Sequence, residues 1–141
     1  MNDFWAGRIR DQVILLARIL LVALFLIFGW RKLTGFTATA GYFAHAGVPL
    51  PTFSAIIAVV MEFFVGLAIL FGVWTRPLAL LLALYTLGTA FIGHPYWTMT
   101  GPAQMEATIN FYKNVSIIGG LFLLYVTGAG KYSVDARIGL S

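Results

Sequence analysis

Cysteine is absent from this 141-residue chain. The chain itself therefore has no disulfides, no Cys-ligated zinc or iron–sulfur cluster, and no thiol nucleophile. Charge is scarce: Asp, Glu, Lys and Arg make up 10% of the residues, with five acids against nine bases. Soluble domains carry about 25% charged residues, so a soluble globule is not expected. No glycine-rich phosphate loop, HExxH helix or serine elbow occurs. The bases are scattered, with no basic run or stripe of the kind that binds nucleic acid. The two histidines, His45 and His94, have no ligand spacing and read as loop or interface residues rather than a metal pair. Facing haem ligands are not suggested either, so neither haem nor an iron–sulfur cluster is expected.

What fills the chain is apolar: 60% hydrophobic residues and a mean hydropathy of +0.90. Four apolar runs stand out, about 13–33, 53–74, 77–93 and 108–127. Each is long enough, at about 1.5 Å per residue, to cross a hydrocarbon core of about 30 Å, the third only marginally. The expectation is an all-α integral membrane protein, a four-transmembrane-helix bundle forming one domain over 1–141. Pro77 suits the first turn of the third helix, His94-Pro95 closes it, and Gly128 and Gly130 end the fourth. Arg18 inside the first run and Arg31-Lys32 after it argue against a cleaved signal peptide.

Placing both termini inside puts Arg8, Arg10, Arg76, Lys131 and Arg137 on the cytoplasmic side and Arg31 and Lys32 outside. The positive-inside rule therefore favours an N-in, C-in topology. In the outer 31–52 connection, Phe36, Ala40, Phe43 and Gly47 recur at helical spacing and predict a short interfacial or re-entrant helix. The multi-pass arrangement implies that the bilayer is the chain's principal partner.

Glu62 is the only ionisable residue between Phe53 and Trp74. An acid at the centre of a membrane helix costs roughly 2.5–3.5 kcal/mol on insertion scales, so it requires a partner or a task. In the first helix Arg18, Val22, Phe25, Gly29 and Lys32 share one face. Ala55, Ala58, Glu62 and Gly66 share one on the second. Asn110, Lys113, Asn114 and Ile117 form a polar stripe on the fourth, followed by Gly119 and Gly120. The glycines Gly29, Gly66 and Gly119 are expected at close helix contacts. By depth alone, Arg18 and Lys113 each lie about 7 Å from Glu62, which suggests a ladder from Arg18 through Glu62 to Lys113. Two uses of it remain open. It fixes helix register as a buried ion pair, with Arg18 and Lys32 snorkelling to the interfaces. Alternatively, Glu62 exchanges protons while Arg18, Lys32, Lys113 and Asn114 bind an anion or a quinone oxygen.

Several stretches together carry a resemblance. Arg18-x10-Gly29-Trp30-Arg31-Lys32-Leu33-Thr34-Gly35 resembles the first helix of the DoxX family of small bacterial membrane proteins. So do Tyr42-Phe43-Ala44-x-Ala46-Gly47-Val48-Pro49 and Phe111-Tyr112-Lys113-Asn114. Glu62-x3-Gly66-Leu67-Ala68-x-Leu70-x-Gly72-x2-Thr75-Arg76 and the ending Thr127-Gly128-x-Gly130-x-Tyr132-Ser133-x-Asp135 follow the same pattern. The resemblance implies a four-helix protein of the bacterial inner membrane and motif positions at Arg18, Gly29, Lys32, Glu62, Gly66, Arg76, Lys113 and Asn114. It also implies redox work: a membrane subunit of a thiosulfate:quinone oxidoreductase in archaea, or a membrane partner of oxidative-stress and sulfur-handling enzymes in mycobacteria. On that basis a quinone-linked oxidoreductase subunit with a soluble redox partner is expected. The alternatives are a small-molecule binding or transport module, which with four helices would need a homo-oligomer, and a scaffold docking a soluble partner at Arg76 and the tail 131–141.

Overall fold

The computed structural model of the chain describes residues 7–140; residues 1–6 and 141, included in the single-domain expectation and at the end of the tail, lie outside it. Helix α1 runs Arg10–Thr34 and is followed by the short α2, Phe36–His45. Helix α3, Pro51–Phe71, is α-helical at both ends with a π segment, Val60–Val65, between them. Helix α4 is Thr75–Gly93, α5 is Gly101–Thr127, and α6 is a single turn, Val134–Arg137. A 3-10 turn at Tyr96–Thr98 joins α4 to α5. Four helical segments, α1, α3, α4 with its following turn, and α5, are long and apolar enough to cross a membrane. The four-helix expectation and the short helix between the first two spans both hold. The first and fourth helices extend beyond the apolar runs, to Arg10 and Gly101, because each begins with polar residues that continue the helix outside the apolar stretch.

The helices pack through narrow stripes. Ile14, Arg18, Val22, Phe25 and Gly29 are the buried positions of α1, one face at helical spacing. This face meets Met61, Val65 and Ile69 of α3 and Leu82 and Ala83 of α4 around a common core completed by Leu121 and Leu124 of α5. Outward faces keep large apolar residues such as Leu20, Leu84 and Val126 exposed, as a bilayer solvent requires.

The start of α1 and the segment after α5 lie at one end of the bundle. Arg10 donates to the Thr127 carbonyl (3.5 Å), and the Lys131 amide donates to Asp11 Oδ1 (3.0 Å). The tail after α5 folds back beneath the α3–α4 turn. Asp135, 3% exposed, accepts the amides of Trp74 (2.7 Å) and Thr75 (2.8 Å), two of the unpaired donors at the start of α4. Its own amide donates to the Gly72 carbonyl. Trp74 sits in the left-handed region with φ 47°, a conformation of about 1–3 kcal/mol that surrounding contacts must hold. The Thr75 hydroxyl is fully buried without a hydrogen-bond partner among the described residues. Thr75→Val is therefore expected to leave the unfolding temperature in detergent unchanged or raise it slightly, whereas loss of more than a few degrees would show the hydroxyl to be satisfied.

Candidate functional site

The centre of the site is Glu62, on the π segment of α3. π turns widen a helix locally and occur often at functional sites. One carboxylate oxygen of Glu62 accepts a hydrogen bond from Lys32 Nζ of α1 at 2.9 Å, and the other accepts from the Tyr85 hydroxyl of α4 at 2.5 Å. The Lys32–Glu62 contact is also an ion pair, with 24% of the lysine side chain and 11% of the acid's exposed. Three helices thus converge on a carboxylate whose charge is matched by one ammonium. An ammonium carries three donors, and Glu62 takes one of those on Lys32. Aromatic rings flank the site: Lys32 Nζ lies 5.8 Å from the centre of the Phe28 ring, and Trp30 lies against Phe63 with centroids 5.6 Å apart.

Gly29 makes this convergence possible. A Cβ there would lie 2.7 Å from the Phe63 amide nitrogen and 2.9 Å from the Glu62 carbonyl carbon. The α1 backbone therefore rests directly on the π segment. Gly66 is also a close contact, with a Cβ there meeting Leu26 at 3.2 Å. The expectation for Gly119 does not hold within the described chain: a Cβ there would meet nothing within 4 Å, because Gly119 points outward from α5. Its neighbour Gly120 takes the close approach instead, against Leu21 at 3.2 Å.

The suggested ladder from Arg18 to Lys113 is not built. Arg18, 1% exposed, donates to three carbonyls at the inner end: Ala129 (2.5 Å), Leu70 (2.9 Å) and Tyr132 (2.9 Å). It ties α1 to the end of α3 and to the tail. Lys113 is exposed on α5 and makes no ion pair or hydrogen bond among the described residues. Asn114, one position on, turns the other way and donates to Thr89 Oγ1 (3.2 Å) and the Thr86 carbonyl (3.4 Å), joining α5 to α4.

Side-chain direction explains this separation. A helical Cβ tilts toward its own helix's N-terminus. α1 starts at the inner end, so Lys32 leans inward and Arg18 leans further from the midplane. α3 and α5 start at the outer end, so Glu62 leans outward to meet Lys32, and Lys113 leans outward away from Glu62. Tyr85 could have been found from the sequence, since it is a phenol within an apolar run about as many residues from the inner end of its helix as Glu62 is from that of α3. His45 and His94 lie at separate helix ends, closing α2 and following α4.

The DoxX family pattern matches residues 13–95. The chain is 52% identical over 137 residues to the inner membrane protein YphA of Escherichia coli, covering 97% of this chain and 98% of that protein. It is 42% identical over 128 residues to the inner membrane protein YqjF of the same organism, covering 91% and 93%. A stretch of 42 residues is 45% identical to the ER-derived vesicles protein ERV29 of Saccharomyces cerevisiae, covering 30% of this chain and 14% of that protein. No solved structure matches the chain.

Proposed function

The chain belongs to the DoxX family of membrane proteins, and from that premise we propose that it is a multi-pass inner-membrane subunit that binds a quinone beside Lys32, Glu62 and Tyr85. The observation that carries this reading is the Lys32–Glu62–Tyr85 cluster, a charged group at membrane depth set on a π segment, with the Phe28 ring beside Lys32. Such groups mark ligand and proton pathways in membrane proteins.

The residues fit the group. Lys32 is partly exposed and keeps donors beyond the one given to Glu62, so it can hydrogen-bond a quinone carbonyl. Phe28, Trp30 and Phe63 offer faces for an aromatic ring. A bound quinone would supply two-electron, two-proton redox chemistry. Glu62 exchanges protons, and Tyr85 holds its carboxylate in position. Any thiol-based step coupled to it would belong to a partner or a bound molecule, because the chain lacks cysteine. Arg18 and Asn114, expected as ligand groups, are assigned here to holding helices together, and Lys113 lies outside the cluster.

The test is the quinone content of protein purified in mild detergent, compared with Lys32→Met and Tyr85→Phe. The wild type is expected to retain quinone. Lys32→Met is expected to lower its affinity about ten-fold, the scale of one hydrogen bond from a charged donor. Tyr85→Phe is expected to retain binding but lower quinone-dependent turnover with the partner. Wild-type protein that holds no quinone and shows no such turnover with any sulfur donor would refute the proposal.

A further inference from the structure

Arg18 and Lys32 each have hydrogen-bond partners within the chain, whereas Lys113 has none among the described residues. Lys113 lies in an open groove of about 650 Å³ on the outward face of α5, together with Thr108, Ile109, Tyr112, Ser116 and Ile117. The spacing of these residues, 108-112-116 and 109-113-117, forms two adjacent ridges of one helix face. Apolar side chains supply much of the wall, while Lys113 and the Ser116 hydroxyl have no partner among the described residues. An unpaired ammonium facing hydrocarbon is costly, so something of opposite charge should cover it.

We propose that this groove binds the headgroup phosphate of an anionic phospholipid, with Lys113 as its counter-ion and an acyl chain lying along Ile109 and Ile117.

The depth fits. α5 has 27 residues, about 40 Å, more than the roughly 30 Å core. With Thr127 near the inner boundary, the outer boundary falls near residue 107, so the Cα of Lys113 lies about 9 Å below it. The side chain leans toward the helix's N-terminus, the outer side, and long lysines snorkel in that direction. Its ammonium therefore approaches the phosphate level of the outer leaflet.

A second copy of this chain is a poorer occupant on charge. In an assembly about an axis along the membrane normal, equivalent residues share a depth, so Lys113 meets Lys113 or neutral groups. Among the described acids, Glu62 is already paired, Asp11 and Asp135 lie at the inner end, and Glu106 is seven residues nearer the outer side, about 10 Å away. The bilayer, by contrast, places phosphates beside the groove.

The experiment reconstitutes the full chain in nanodiscs of equal phosphatidylglycerol and phosphatidylethanolamine, transfers it to detergent, and counts retained lipids by native mass spectrometry. Wild type is expected to retain phosphatidylglycerol in excess. Lys113→Gln should reduce that retention about five-fold, the scale of one basic residue at a membrane surface, and Lys113→Arg should preserve it. Ser116→Leu, which fills the groove from an exposed position, should lower retention with the charge intact. Quinone content should be unchanged in all three variants, separating this site from that of Glu62. Equal lipid retention in wild type, Lys113→Gln and Ser116→Leu would overturn the proposal. So would a preference for phosphatidylethanolamine, or a homo-oligomer that Lys113→Gln dissociates.

Discussion

Replacing Gly29 by alanine is expected to separate the outer half of α1 from the π segment of α3. The added methyl would press on the Phe63 amide nitrogen at 2.7 Å and on the Glu62 carbonyl carbon at 2.9 Å. Both are backbone atoms, so no rotamer change relieves the clash. The helices must move apart, at a cost of about 1–3 kcal/mol for overpacking. The same movement pulls Lys32 away from Glu62, since both flank the contact. A buried pair that loses one partner costs about 3–5 kcal/mol, discounted here because Lys32 is partly exposed. Gly29→Ala should therefore unfold at a clearly lower temperature in detergent and lose the quinone affinity proposed for this site along with stability. Gly119→Ala provides the comparison: its methyl would meet nothing within 4 Å, so its unfolding temperature and ligand content should match the wild type. Equal behaviour of the two glycine variants would show that α1 and α3 are not in backbone contact.

The second large effect is expected at the inner clamp. Arg18→Met would leave the carbonyls of Leu70, Ala129 and Tyr132 without their guanidinium donor. An abandoned buried acceptor costs about 1–3 kcal/mol, which applies at Ala129 and is smaller at the part-buried Leu70 and Tyr132. Arg18→Lys should recover only part of the loss, because an ammonium does not reproduce the planar fork that reaches three carbonyls. Asp135→Ala should act on the same clamp from the other side. It removes the acceptor for Trp74 and Thr75 at the start of α4, about 0.5–2 kcal/mol as a lost cap. It also frees Trp74 from its left-handed conformation. Trypsin cleavage after the exposed Lys131 is the readout. The wild-type tail should resist digestion, while Arg18→Met and Asp135→Ala should be clipped early. A fully stable, resistant Arg18→Met that lost quinone would instead make Arg18 a ligand-binding residue.

Much of the site was legible one residue at a time. Glu62 declared itself by its isolation in an apolar run, and Gly29 and Lys32 by sharing a helix face with Arg18. The partnerships were less legible. A depth counted at 1.5 Å per residue locates a Cα, whereas long side chains end about a helical turn away, in the direction set by their own helix. That offset turned Arg18 and Lys113 away from Glu62 and brought Lys32 toward it. Asn114 and Lys113 are adjacent in sequence, yet the roughly 100° between successive helical residues sends one to α4 and the other outward. The Arg18 acceptors are main-chain carbonyls, and no side-chain pattern announces those.

Four membrane crossings, a short helix after the first span and a single acid at depth were all readable from the residues alone. These follow from local properties: run length, periodicity, and the cost of charge in hydrocarbon. The hold of Lys32 and Tyr85 on Glu62, the fastening of the tail by Arg18 and Asp135, and the outward direction of Lys113 emerge only in the packed fold. Those outcomes depend on how the helices are rotated about their axes and where they touch. The contact of Gly29 with the π segment shapes both, and it exists only once α1 and α3 are packed together.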